Sequence, residues 1–177
     1  MYAFRRGVDN SKAPRVQLLG SGTIFNEVIA AAEMLKNDWG VESDLWSCPS
    51  FTELAREGND VARYNLLHPT ETARLTHVEK CLNDTRGPVI ASTDYIRTYA
   101  DQIRPFVRGR YVVLGTDGYG RSDTREKLRH FFEVDRNWVT VAALKALADE
   151  GTLPASKVAE AIAKYNLDPN KPNPMTV

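Results

Sequence analysis

The chain has 177 residues, 42% of them apolar and 26% charged, with 23 basic and 23 acidic side chains. That length buries a core without staples and defaults to one domain. The balanced charge gives no basic patch for nucleic acid or lipid headgroups, and no apolar run is long enough to cross a bilayer. The two cysteines, Cys48 and Cys81, read as reduced thiols of a cytoplasmic protein, and with three scattered histidines they offer no metal spacing.

Residues 2–8 read as a strand that begins almost at the first residue, which is expected of a piece cut from a longer polypeptide. Asp9-Asn10-Ser11 reads as a turn. A second strand, Val16-Gln17-Leu18-Leu19, closes on Gly20-Ser21-Gly22. Ile24, Phe25, Val28, Ile29, Ala32 and Leu35 then repeat at helical spacing, with Ser21 or Thr23 as cap and Gly40 as stop. Residues 41–48 form a strand ended by Pro49. Ser50 and Glu53 predict a capping box. It opens a short helix to about Glu57, which Gly58 stops, and a second helical piece covers residues 61–67.

Residues 76–83 read as helix and Pro88-Val89-Ile90-Ala91-Ser92 as a strand buried on both faces. Thr93 or Asp94 caps a helix carrying Tyr95, Ile96, Tyr99, Ala100 and Ile103. Tyr111-Val112-Val113-Leu114 is another buried strand. Helices follow at 123–132, 136–150 and 155–165. Residues 166–177 hold three of the nine prolines and read as an extended arm lying on a surface, apart from a domain of residues 1–165. The alternation predicts an α/β fold, a three-layer α/β/α sandwich on a mixed, mostly parallel sheet with the opening strand at an antiparallel edge.

No complete catalytic set emerges. Gly20-Ser21-Gly22 lies between a strand and a helix start and lacks the spacing of a dinucleotide or phosphate loop. Two readings stay open there: a tight turn, or an anion site as in a flavodoxin-like module binding a phosphorylated small molecule. His68, before Pro69, is the most exposed of the histidines by its setting. His77 and His130 sit in helical stretches. In the loop after Leu114, Asp117 either orients a partner group or satisfies loop amides, Arg121 suits a carboxylate, and Ser122 suits a helix cap. Trp39, Trp46 and Trp138 occur singly at element ends and read as packing residues.

Several segments together resemble one family: Val16 to Gly22, Ser50-Phe51-Thr52-Glu53-Leu54-Ala55-Arg56, Asn65-Leu66-Leu67-His68-Pro69, Ala91-Ser92-Thr93-Asp94-Tyr95, and the run from Leu114 to Glu133 containing Gly115-Thr116-Asp117-Gly118-Tyr119-Gly120-Arg121-Ser122. The chain resembles the C-terminal domain of the homodimeric bacterial pyruvate dehydrogenases (acetyl-transferring), which is transketolase C-terminal-like. The resemblance implies a five-stranded mixed sheet. It implies a parent enzyme that uses thiamine diphosphate and magnesium to decarboxylate pyruvate and acetylate the lipoyl group of dihydrolipoyl acetyltransferase. In that family the cofactor sits between preceding domains, so none is expected on this one, no catalytic residue carries over, and the domain alone is expected to be inactive. Its expected partners are the remainder of its own chain, the homodimer mate and the acetyltransferase. His68, Asp117, Tyr119, Arg121 and Ser122 are the candidate interface or active-site-entrance residues.

Overall fold

A computed structural model describes residues 1–8 and 12–177; the expected turn at residues 9–11 lies outside them. Five strands, β1 (Tyr2–Arg5), β2 (Arg15–Gly20), β3 (Glu42–Ser47), β4 (Val89–Ser92) and β5 (Tyr111–Leu114), form one sheet in the order β1-β3-β2-β4-β5. β1 runs antiparallel along β3, and the other pairings are parallel. The helices are α1 (Phe25–Trp39), α2 (Phe51–Leu67), α3 (His77–Leu82), α4 (Arg97–Asp101), α5 (Arg125–Phe131), α6 (Arg136–Asp149) and α7 (Ala155–Lys164).

Strand alternation sorts the side chains into two cores. Val16, Leu18, Leu45 and Ile90 pack under α1, α6 and α7. Leu19, Trp46, Ala91, Tyr111 and Val113 pack on the opposite face, with Phe51 and Leu54 of α2, Val78 of α3 and Ala100 of α4. Three layers result, as the strand–helix alternation predicts.

The interior also holds a polar knot. Gln17, fully buried, donates from Nε2 to Asp44 Oδ2 at 2.9 Å and to the Arg86 carbonyl at 3.0 Å, and its Oε1 accepts from Trp46 Nε1 at 2.8 Å. Asp44 Oδ1 takes Arg15 Nη1 at 2.7 Å and the Gly7 amide at 2.9 Å. Every buried donor named here has an acceptor, the condition for polar groups to be tolerated in a core. At the far end, Trp39 Nε1 donates to Tyr165 Oη, which donates to Asp38, both at 2.8 Å. Burial pushes the Tyr165 phenol up to about 12.

Several local expectations change. α2 is one helix running through Gly58, because Gly58 leaves room for Phe106: a Cβ there would lie 2.2 Å from the ring. At its start only half of the capping box forms. Ser50 accepts from the Glu53 amide, while the Glu53 carboxylate turns to Arg56. The complete box belongs to Thr76 and Glu79 on α3. The helix expected from Thr93 shrinks to α4, leaving Tyr95 and Ile96 outside it and, with Tyr99, exposed. α5 is capped by Thr124, not Ser122. Both cysteines are free, and burial pushes the Cys48 thiol up to about 12, which makes it inert.

Candidate functional site

In the order β3-β2-β4-β5 the chain turns to one side after β2 and to the other after β3, so the topological switch point lies between β2 and β4. Open α/β sheets form their crevice at that point, beyond the carboxyl ends of the strands. Here the loops after β2 and β4 are tied across it. Ser21 Oγ donates to Thr93 Oγ1 at 3.0 Å, and Thr23 Oγ1 donates to Asp94 Oδ2 at 2.8 Å.

The loop after β5 joins them. Thr116 Oγ1 donates to the Asp94 carbonyl at 2.7 Å, and the Thr116 amide donates to the Tyr95 carbonyl at 2.9 Å. Gly115 is required by this closeness, since a Cβ would lie 2.7 Å from that same carbonyl oxygen. Asp117 Oδ1 accepts from the Arg97 amide at 2.9 Å, and Oδ2 pairs with the Arg97 guanidinium. Of the two readings for Asp117, the structure displays the loop-satisfying one.

A cleft of about 500 Å³ opens beside these loops, walled by Thr23, Asp94, Gly118, Arg121, Arg125 and Arg129, with Leu128 and Phe132 at its apolar side. Arg121 lies over the Phe131 ring at 4.7 Å. Tyr119 projects outward, 79% exposed. Ser122 is exposed and caps nothing. Beneath the cleft, Glu27 of α1 is clasped by Arg129 at 3.0 Å and Arg136 at 2.8 Å. Hydrogen bonding from Arg136 is the main cause that holds the Glu27 carboxyl below its usual range. A smaller cavity of about 250 Å³ lies on the other side of the loops, lined by Ser21, Pro49, Phe51, Tyr95 and Tyr99. Sequence reasoning missed Arg97, Glu27, Arg129 and Arg136 as builders of this edge. Nothing local marks them, because each acts on a residue 20 or more positions away.

The structure does not bring His68 to this cleft. It ends α2, about 25 Å along the helix from its start at the sheet's carboxyl edge, and is stacked on Tyr64 at 3.9 Å with Nδ1 against the Tyr64 carbonyl at 2.8 Å. His77 donates from Nε2 to the Met1 carbonyl, and His130 faces Asp135.

The last residues reach the same edge. Lys171 Nζ donates to the Phe131 carbonyl at 2.7 Å and to Glu133 at 2.9 Å. Pro174 is buried, and its carbonyl oxygen lies where a Cβ on Gly118 would approach to 2.3 Å. Arg97 Nη2 reaches Met175 Sδ at 3.1 Å. Deleting residues 171–177 is therefore expected to speed amide exchange in residues 115–122 about tenfold or more while β2 and β4 stay protected. Hydrogen exchange with mass spectrometry reads this; an unchanged loop would mean that it holds its own shape.

Chemically, the edge offers guanidinium groups, hydroxyls and exposed tyrosines. Among the described residues no group of three or more His, Cys, Asp or Glu is placed to hold a metal. The arrangement suits recognition. Residues 1–135 match the family model for the transketolase-like TK C-terminal domain. The chain belongs to the transketolase C-terminal domain family. It is 80% identical over all 177 residues to the pyruvate dehydrogenase E1 component of Cupriavidus necator, covering 20% of that protein. It is 60% identical over 164 residues, 92% of this chain and 19% of the relative, to that of Pseudomonas aeruginosa. For that of Escherichia coli K12 the figures are 53% over 168 residues, 94% and 19%. The chain thus spans about a fifth of the length of these relatives, as their C-terminal part.

Among solved structures, the transketolase of Campylobacter jejuni superposes with a TM-score of 0.52 at 18% identity, over 81% of this chain and 18% of that one. A split-gene transketolase, described as an inactive beta4 tetramer, gives 0.50 at 14% identity, over 77% and 40%. Both carry the transketolase C-terminal fold. The flavodoxin-like alternative is not supported. The hydroxyls at the Gly20-Ser21-Gly22 turn are committed across the crevice, Ser21 to Thr93 and Thr23 to Asp94.

Proposed function

We propose that this chain is the C-terminal domain of a thiamine diphosphate-dependent pyruvate dehydrogenase E1 component. The observation that carries this reading is the 80% identity over every residue of the chain to the Cupriavidus necator E1 component. Residues 1–165 form the domain body and residues 166–177 an arm upon it. The full-length enzyme is a cytoplasmic homodimer that decarboxylates pyruvate and passes the acetyl group to the lipoyl group of dihydrolipoyl acetyltransferase. Thiamine diphosphate and magnesium belong to its other domains. The described residues of this chain gather no group of three or more carboxylate, histidine or cysteine side chains, and no chemical step is assigned to them.

The domain's own work is then support of the dimer and shaping of the active-site entrance. The loop at residues 117–122 faces the rest of the enzyme or its partner, with Tyr119 and Arg121 as its contact groups; such residues carry much of the energy at interfaces. His68 and Pro69 form a separate contact at the end of α2.

Converting Tyr119→Ala together with Arg121→Glu in the full-length enzyme is expected to weaken dimerisation or lipoyl acetylation about tenfold, near 1.4 kcal/mol. The loop hangs mainly on Asp117, Thr116 and the packing of Gly118 on Pro174. Arg121 adds only an exposed contact with the Phe131 ring, worth about 0.5–1 kcal/mol, so the melting temperature of the 177-residue chain should move little. Sedimentation and reductive acetylation rates measure the two effects. If both keep wild-type values, the loop is not a contact.

A further inference from the structure

The second half of α2 has no core to enter. Its buried residues are Phe51, Leu54, Ala55 and Gly58, and none of residues 59–67 is buried. Helices in proteins owe most of their stability to an apolar face packed on something else. Here Leu66 is 76% exposed, Leu67 55% and, on the returning segment, Leu75 41%.

The overhang is nonetheless built to a fixed shape. Asn65 Nδ2 donates to the Arg74 carbonyl at 2.9 Å, and the Arg74 amide donates back to Asn65 Oδ1 at 2.8 Å. The Tyr64 ring is contacted by His68 at 3.9 Å and by the Arg74 guanidinium at 3.2 Å, while its hydroxyl donates to Glu71 at 2.7 Å. A protrusion held in this way, with leucines at its tip, loses little further entropy on docking. Contiguous exposed apolar groups of this kind mark contact surfaces.

The start of the chain meets the root of the same overhang. The Met1 carbonyl accepts from His77 Nε2 at 2.7 Å, and the His77 amide donates to the Glu57 carboxylate at 3.0 and 3.1 Å. Glu57 immediately precedes Gly58, the last buried residue of α2. Met1 thus lies, through His77, beside the helix at the point where it leaves the core. In the relatives, about four-fifths of the chain lies outside the stretch matched here, which is their C-terminal part.

We propose that residues 59–75 form a docking arm whose apolar tip is covered by the segment of the same polypeptide that precedes Met1. This rests on the reading of the chain as one domain of a longer enzyme.

The test compares hydrogen exchange in the 177-residue chain and in the full-length enzyme, and adds a photoreactive benzoylphenylalanine in place of Leu67 in the latter. Leu67 is exposed, so its replacement leaves the core intact. The expected result is exchange about 100-fold slower at residues 60–67 in the full-length enzyme, together with an adduct of single-chain mass that maps upstream of Met1. Equal exchange in the two proteins overturns the proposal. So does an adduct of doubled mass, which would assign the cover to the homodimer mate, or one that maps within residues 1–177. If cells contain the chain only at 19.8 kDa, the reading beneath the proposal fails instead.

Discussion

Replacing Asp44 with alanine is expected to destabilise the domain by about 3–5 kcal/mol, the usual result of removing one partner of a buried ion pair. Asp44 is buried in β3 and collects Arg15, Gln17 and the Gly7 amide, with Arg6 at 3.7 Å. Its loss takes the ion-pair partner from the Arg15 guanidinium, which is nearly as buried as the carboxylate and keeps the Val8 carbonyl. It also leaves the Gln17 amide one acceptor short in the middle of the sheet. Because Gln17 holds Trp46 as well, the damage spreads across β2 and β3 together. Urea unfolding of wild type and variant measures it. A loss below about 1 kcal/mol, typical of exposed pairs, would mean that water reaches the knot.

Glu27→Gln is the second large effect, about 3 kcal/mol at pH 7 for a buried carboxylate with two arginine partners. Glu27 pins α1 to α5 through Arg129 and to α6 through Arg136, so the substitution loosens the wall of the cleft as well as the fold. Its carboxyl has a lowered pKa in the folded state, chiefly through the hydrogen bond from Arg136. A lowered folded pKa contributes stability that is complete above the unfolded value, about 4.3, and is lost as the pH falls through the folded value. The gap between wild type and Glu27→Gln should therefore be full at neutral pH and close progressively below about pH 4.3. Thermal unfolding between pH 7 and pH 3 tests the sign. A gap that widens on acidification would contradict it.

The architecture was legible because its signals are local. Val16 to Leu19, Val89 to Ser92 and Tyr111 to Leu114 are short apolar runs between turn residues, and helical stripes alternate with them. The errors have physical causes that periodicity does not carry. Gly58 reads as a stop, but the helix continues because Phe106 fills the space above it. Ser50 and Glu53 have the spacing of a capping box, yet Arg56 competes for the carboxylate. Ser122 has the character of a cap and lies two residues too early, so Thr124 takes the role.

The site was legible in part. The Gly115 to Ser122 run stands out by composition, and the structure places it at the rim of the switch-point crevice. Its supports were hidden. Asp117 depends on Arg97, Gly118 on Pro174, and the cleft wall on Glu27, all pairings between distant parts of the chain. His68 shares the chemistry of a site residue but is carried away along α2. The resemblance supplied what no residue pattern here encodes, namely the kinship with the C-terminal part of pyruvate dehydrogenase E1 components.

The most direct measurement is immunodepletion of an extract of the source cells with an antibody raised against this chain. The captured protein is expected to run about five times heavier than 19.8 kDa, since the chain covers 20% of its E1 relative, and pyruvate-dependent acetylation of lipoyl groups is expected to leave the extract with it. A captured band at 19.8 kDa, or full pyruvate dehydrogenase activity remaining in the depleted extract, would contradict the proposed function.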